Sequence, residues 1–168
     1  GTQNYYYREA PVQTVTVNNK VYDTTTNASA VVSSVDGDVY RASGMFFNNA
    51  SAGVQAVNTN ALVVTNTQSP QWSITGYTSG AVSTSATISK ANVTLTGASA
   101  NNKVYDTTTN ASISSNGKAT VMLGNSTLAN GSLNSSTAFT NYTVSGAFAN
   151  ASAGNQIVNL TTALADTT

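Results

Sequence analysis

The residues equipped for chemistry are few, and the most prominent come as a matched pair. Lys20-Val-Tyr22-Asp23 and Lys103-Val-Tyr105-Asp106 each place an amine, a phenol and a carboxylate within four positions. Such a set could bind a ligand, or let the lysine form an isopeptide bond with one of the many asparagines. The second reaction needs a buried lysine, and buried lysines are uncommon. The alternation after Asn18-Asn19 does not place Lys20 in a core. The simpler reading is structural: the tyrosine ring packs inward while the aspartate closes the next turn onto backbone N–H groups. Exact duplication favours that role.

The remaining candidates are weaker. Asp36-Gly37-Asp38 offers two carboxylates to a calcium ion that ordinarily takes about six to eight oxygens, so a type I turn is the better reading. Ser115-x-x-Lys118 has the spacing of a serine–lysine nucleophile but no helix or companion motif around it. Histidine and cysteine are absent and only six residues are acidic. Thiolate and imidazole metal sites are thereby excluded, and acid–base groups are nearly lacking. No catalysis and no cofactor are expected. Trp72 and the run Tyr5-Tyr6-Tyr7 could stack on sugar rings, which makes a host or matrix glycan the alternative partner. Strand alternation puts Tyr5 and Tyr7 on one face and Tyr6 on the other.

The elements that must position these residues are themselves duplicated. The string NNKVYDTTTNAS occurs at 18–29 and again at 101–112, so Lys20 and Lys103 stand 83 residues apart. A second anchor, FNNASAGVQAVNTNAL from Phe47, returns as FANASAGNQIVNLTTAL from Phe148, 101 residues on. The later copy therefore carries about 18 extra residues between its anchors. A repeat of this length marks tandem modules. Val12–Val17, Val54–Val57, Ala61–Thr65, Ser83–Ile88, Val93–Thr96, Ala119–Leu123 and Tyr142–Phe148 alternate with β-branched residues and read as strands. Turn residues separate them at Asp36-Gly37, Ser69-Pro70, Asn116-Gly117, Gly124-Asn125 and Asn130-Gly131. No segment has helical periodicity. The expected fold is all-β: two tandem Ig-like antiparallel β-sandwich modules. Module one spans 11–90 and module two 91–168, with 1–10 a separate N-terminal strand. Ile88–Val93 joins the modules with almost no linker, so a stiff joint is expected.

Composition narrows the class. Charged residues number 12 of 168 and balance to zero, which suggests neither a nucleic-acid partner nor an anionic membrane. Ser, Thr and Asn supply 69 residues and carry the burden of solubility. No apolar run approaches the roughly 18 residues of a membrane span, so no membrane insertion is expected. Asn-x-Ser/Thr sequons occur ten times, a mild excess over chance.

Each copy resembles the YDG/MBG-type repeats of filamentous-haemagglutinin-like bacterial surface adhesins. The likeness rests on Lys20–Asp23, Asp36–Val39, Phe47–Gly53 and Val57-Asn58 to Leu62. In the second copy it rests on Lys103–Asp106, Phe148–Gly154 and Val158-Asn159 to Leu164. Two features depart from that pattern: threonine (Thr24, Thr107) stands where the repeats carry glycine after Tyr-Asp, and the second copy has no Gly-Asp turn. The resemblance implies secretion, a β-sandwich, a spacer or adhesive role at the cell surface, and no catalytic residues.

The ends suggest how units join. Module one continues past Leu62 to Ile88, whereas module two has four residues after Leu164. Module two is thus expected to lack its last one or two strands. Read across Thr168 to Gly1, LADTTGTQNYYYREA parallels LVVTNTQSPQWSITG from Leu62, with Thr2-Gln3 matching Thr67-Gln68. The expectation is that Thr2, Gln3, Asn4, Tyr5, Tyr6, Tyr7 and Arg8 form a strand completing module two of a neighbouring unit. That unit would be another copy of the chain or an adjacent repeat.

Overall fold

The computed structural model describes residues 12–35, 37–68, 73–75, 81–128 and 132–165. The regular elements among them are all strands, so the fold is all-β. In chain order they are β1 (Val12–Val17), β2 (Lys20–Val21), β3 (Ala30–Ser34), β4 (Tyr40–Ser43), β5 (Phe46–Phe47), β6 (Gly53–Asn58), β7 (Val63–Asn66), β8 (Ser73–Thr75), β9 (Ala81–Val82) and β10 (Ser85–Ser89). There follow β11 (Val93–Ala100), β12 (Asn110–Ala111), β13 (Ile113–Gly124), β14 (Leu133–Phe139), β15 (Tyr142–Phe148) and β16 (Val158–Leu164). Two compact units result. Unit 1 comprises Gly1–Ala91 with Leu123–Asn134, and unit 2 comprises Asn92–Met122 with Ser135–Thr168.

Unit 1 contains three small sheets, ordered β3-β1-β9, β2-β10-β6-β5 and β4-β7-β8. Alternation along β1 turns Val15 and Val17 inward, and an irregularity in register between Val12 and Thr14 brings Val12 to the same side, where the three join Met45, Phe47, Val57, Val64, Ala86 and Ile88. Val15 and Val64 are fully buried. Each large side chain buried in this way contributes about 1.5–3 kcal/mol before chain entropy is counted. β10 is central to this packing. It runs antiparallel to β6 and parallel to β2, and presents Ala86 and Ile88 to the core.

Unit 2 contains the sheets β11-β13-β14 and β12-β15-β16. It keeps the register of unit 1 where the sequences match. Ala100 pairs with Ile113 as Val17 pairs with Ala30, and Phe148 with Val158 as Phe47 with Val57. What differs is continuity. In unit 1 Gly44 (φ +78°) separates β4 from β5, and a Cβ there would lie 1.9 Å from the carbonyl oxygen of Ala61. In unit 2 the corresponding run is the unbroken hairpin β15–β16.

The additional residues of the second copy extend β13 and supply β14. The far end of this hairpin, Leu123–Asn134, packs as part of unit 1. There the Gly124 N–H donates to the Tyr22 carbonyl at 3.1 Å. Asn116-Gly117, expected as a turn, instead lies within β13. Gly117 (φ +67°) sits beside Gly97 (φ +73°), so the positive-φ glycines bend a continuous ladder without ending it. Thr2–Arg8, Asp36, Ser69-Pro70, Trp72 and Asn130-Gly131 lie outside the described residues.

Candidate functional site

The duplicated motif builds the same structure twice. In unit 1 the Lys20 ammonium donates to Asp23 Oδ1, to the Thr25 carbonyl and to the Asn27 carbonyl, each at 2.8 Å. An ammonium has three hydrogens, so this charge is fully satisfied. Its nitrogen lies over the Phe47 ring, 5.3 Å from the centroid, a cation–π contact. Asp23 Oδ1 also accepts the Thr25 N–H and the Thr25 hydroxyl, both at 2.9 Å. Lysine, aspartate and threonine together staple the loop 22–27 closed.

Unit 2 repeats the lysine–aspartate–threonine part of this arrangement, without a counterpart of the bond from Lys20 to the Asn27 carbonyl. The Lys103 ammonium donates to Asp106 Oδ1 and the Thr108 carbonyl at 2.8 Å and stands 5.3 Å from the Phe148 ring centre. Asp106 Oδ1 accepts the Thr108 N–H at 3.0 Å and its hydroxyl at 2.9 Å. Downstream, Asn49 and Asn150 each accept the N–H of the serine two residues on, at 2.8 Å. Thr24 (φ 69°) and Thr107 (φ 68°) both occupy the left-handed region that favours glycine.

Environment separates the two staples. Lys20 is 3% exposed and Phe47 1%. Lys103 and Asp106 are open to solvent, and Phe148 is only half-buried. Tyr22 packs against the core, whereas Tyr105 is 62% exposed. The cause is β10. In unit 1 it lies over the staple, its Ser89 carbonyl accepting the Tyr22 N–H at 2.8 Å and its Thr87 N–H donating to Asn19 Oδ1 at 2.8 Å. Among the described residues no strand takes that place in unit 2. A cleft of about 540 Å³ remains there, walled by Lys103, Tyr105 and Phe148 on one side and by Asn150–Gln156 on the other.

Electrostatics follow the same division. Burial pushes the Asp23 carboxyl up, but the bonds from Lys20 and Thr25 outweigh it and hold the group below its usual value. The Lys103 ammonium, then the Thr108 N–H and hydroxyl, hold Asp106 down to about 2. Both carboxylates are therefore ionised at neutral pH, and neither serves as a proton donor there.

Other sequence candidates resolve into local structure. Asp38 Oδ2 accepts from the Asn66 amide at 2.8 Å, beside Gly37 at φ +79°. Ser115 Oγ accepts the Gly117 N–H at 3.1 Å. Sequence reasoning missed the phenylalanine under each lysine and the threonine that completes each staple. A signal was present, because Phe47 and Phe148 open the second anchor of each copy. Their distances from the lysines differ, which hid the pairing. Comparison of the chain with protein-family models, curated proteins and solved structures finds no match.

Proposed function

We propose that this chain is a structural repeat of a secreted bacterial surface filament or adhesin stalk, built from two tandem Ig-like β-sandwich modules. Units join head to tail, by strand complementation between chains or as consecutive repeats of one longer chain. One observation carries this reading: the second staple repeats the Lys–Asp, Lys–Thr carbonyl and Thr–Asp bonds of the first to within about 0.1 Å, yet among the described residues it has no covering strand. A half-covered module exposes apolar surface and ladder groups that another segment can satisfy. The duplicated residues hold loops closed, which suits a scaffold better than a reaction centre. Neutral polar composition without charge clusters fits a surface protein that meets many environments. Native material from the cell surface tests the reading. Filaments from which denaturant releases chains of 17.2 kDa support complementation, and a far larger chain supports a tandem array. A protein found only inside the cell and monomeric at every concentration overturns both.

A further inference from the structure

The open cleft of unit 2 has a definable shape, because unit 1 shows the same surface filled. There β10 pairs Ile88 with Gly53, Thr87 with Val54 and Ala86 with Gln55 on one side. On the other it pairs Ile88 with Lys20 and Ser89 with Val21. The anchors map these positions onto Gly154, Asn155, Gln156, Lys103 and Val104 of unit 2. Of the two rims, the one carrying Lys103 is laid open: Val104 is 87% exposed, whereas its counterpart Val21, paired with β10, is half-buried. Gly154–Ile157 and Lys103-Val104 are not strands in unit 2, whereas Gly53–Ala56 and Lys20-Val21 are strands in unit 1. The rims are in place and the ladder between them is not.

Chain connectivity indicates what fills the cleft. β10 completes unit 1, and after Lys90, Ala91 and Asn92 the chain enters β11, the first strand of unit 2. A strand that completes one module thus leads directly into the first strand of the next. β1 is the counterpart of β11, so the residues before β1 stand where β10 stands before β11. Counted back from the lysine anchors without a gap, Ser85–Ser89 falls on Thr2–Tyr6, and Ile88 on Tyr5, each 15 residues before its lysine. This count differs from the parallel with the Trp72 segment because it starts from the lysine that follows each segment in the sequence, Lys103 after β10 and Lys20 after Thr2–Tyr6. Resting on the reading of the chain as a self-joining structural repeat, we propose that the unit 2 cleft is an acceptor groove for residues Thr2–Tyr6 of a second copy. Tyr5 takes the place of Ile88 over Phe148 and Lys103, and Gln3 the place of Ala86. Asn4 then lies opposite Asn155.

The register is testable because the chain has no cysteine. Asn155 is exposed, and Val54, its counterpart beneath Thr87, is 75% exposed, so the change is tolerated by the fold. The full chain carrying Asn4→Cys and Asn155→Cys is oxidised under mild conditions and run without reductant. A ladder of covalent multimers is the expected result, with little or none from the control carrying Asn4→Cys and Gln156→Cys, whose side chains point to opposite faces. Tyr5→Asp should weaken association measured by sedimentation about tenfold or more, as expected for a large side chain lost from a buried position. Association without either cross-link overturns this groove and register while leaving self-assembly standing. A disulfide confined to monomers overturns the second copy as occupant. No association at any concentration overturns the self-joining reading itself.

Discussion

At the scale of the residue, Lys20 and Lys103 are a natural comparison: identical chemistry at two depths. Lys20 and Asp23 side chains are 2% and 8% exposed, Lys103 and Asp106 26% and 51%. Asp23→Asn leaves a buried ammonium without its counter-charge and should cost about 3–5 kcal/mol. Asp106→Asn exposes its lysine to water and should shift the denaturation midpoint far less, which paired urea curves would show. The exposed carboxylate reports on pH. Its folded pKa of about 2 lies below the ordinary 3.8, so its contribution is complete above the ordinary value and is lost as pH falls toward 2. The Asp106 carboxyl carbon shift, followed by NMR, should titrate with a midpoint near 2. Thr24 and Thr107 concern the backbone. A left-handed φ costs an L residue about 1–2 kcal/mol, and glycine gives back about 0.5–1 in chain entropy. Thr24→Gly and Thr107→Gly should each therefore stabilise by up to about 1 kcal/mol, readable as a higher melting temperature. A fall in both would mean that the hydroxyls hold something the backbone strain does not reveal.

At the scale of the element, periodicity revealed most of the strands and little of their pairing. β1 and β15 coincide with alternating stretches of the sequence because one face of each meets apolar neighbours. Asn116-Gly117 reads as a turn, yet Gly97 on the facing strand lets the ladder pass through it. A glycine's role depends on its partner strand, which local sequence does not contain. The place of β10 was equally hidden, since two residues of parallel pairing to β2 leave no pattern in either segment. Local sequence also did not show that the hairpin end Leu123–Asn134 packs with unit 1. Gly124 allows that packing. A Cβ there would stand 2.1 Å from the Val21 carbonyl oxygen, a contact no flexible side chain can relieve. Gly124→Val should force the segment away and cost about 1–3 kcal/mol, in the range of overpacked cores. Hydrogen exchange should then show the amide of residue 124 losing its protection while β15 keeps its own. Unchanged protection would mean that the strand shifts to make room.

For the molecule as a whole, the two units hold unequal cores on one plan. Nine buried apolar residues cluster in unit 1, whereas Ala119 and Val121 are the buried apolar residues of unit 2 among those described. Stability is a small difference between burial and chain entropy, so the unit that buries less should open first. Dilute chain should accordingly unfold in two steps, with amide exchange at β12, β15 and β16 preceding that at β1 and β6. Concentration then separates an intrinsically weak unit from an incomplete one. A segment that binds only the folded cleft raises its stability by mass action, about 2.7 kcal/mol at a hundred times the dissociation constant. If Thr2–Tyr6 of a second copy fills the groove, the first calorimetric step should rise with protein concentration while the second stays fixed. Tyr5→Asp should abolish the rise and leave the dilute value unchanged. A first step independent of concentration in the parent chain would show unit 2 to be complete as it stands, its cleft a surface feature without an occupant.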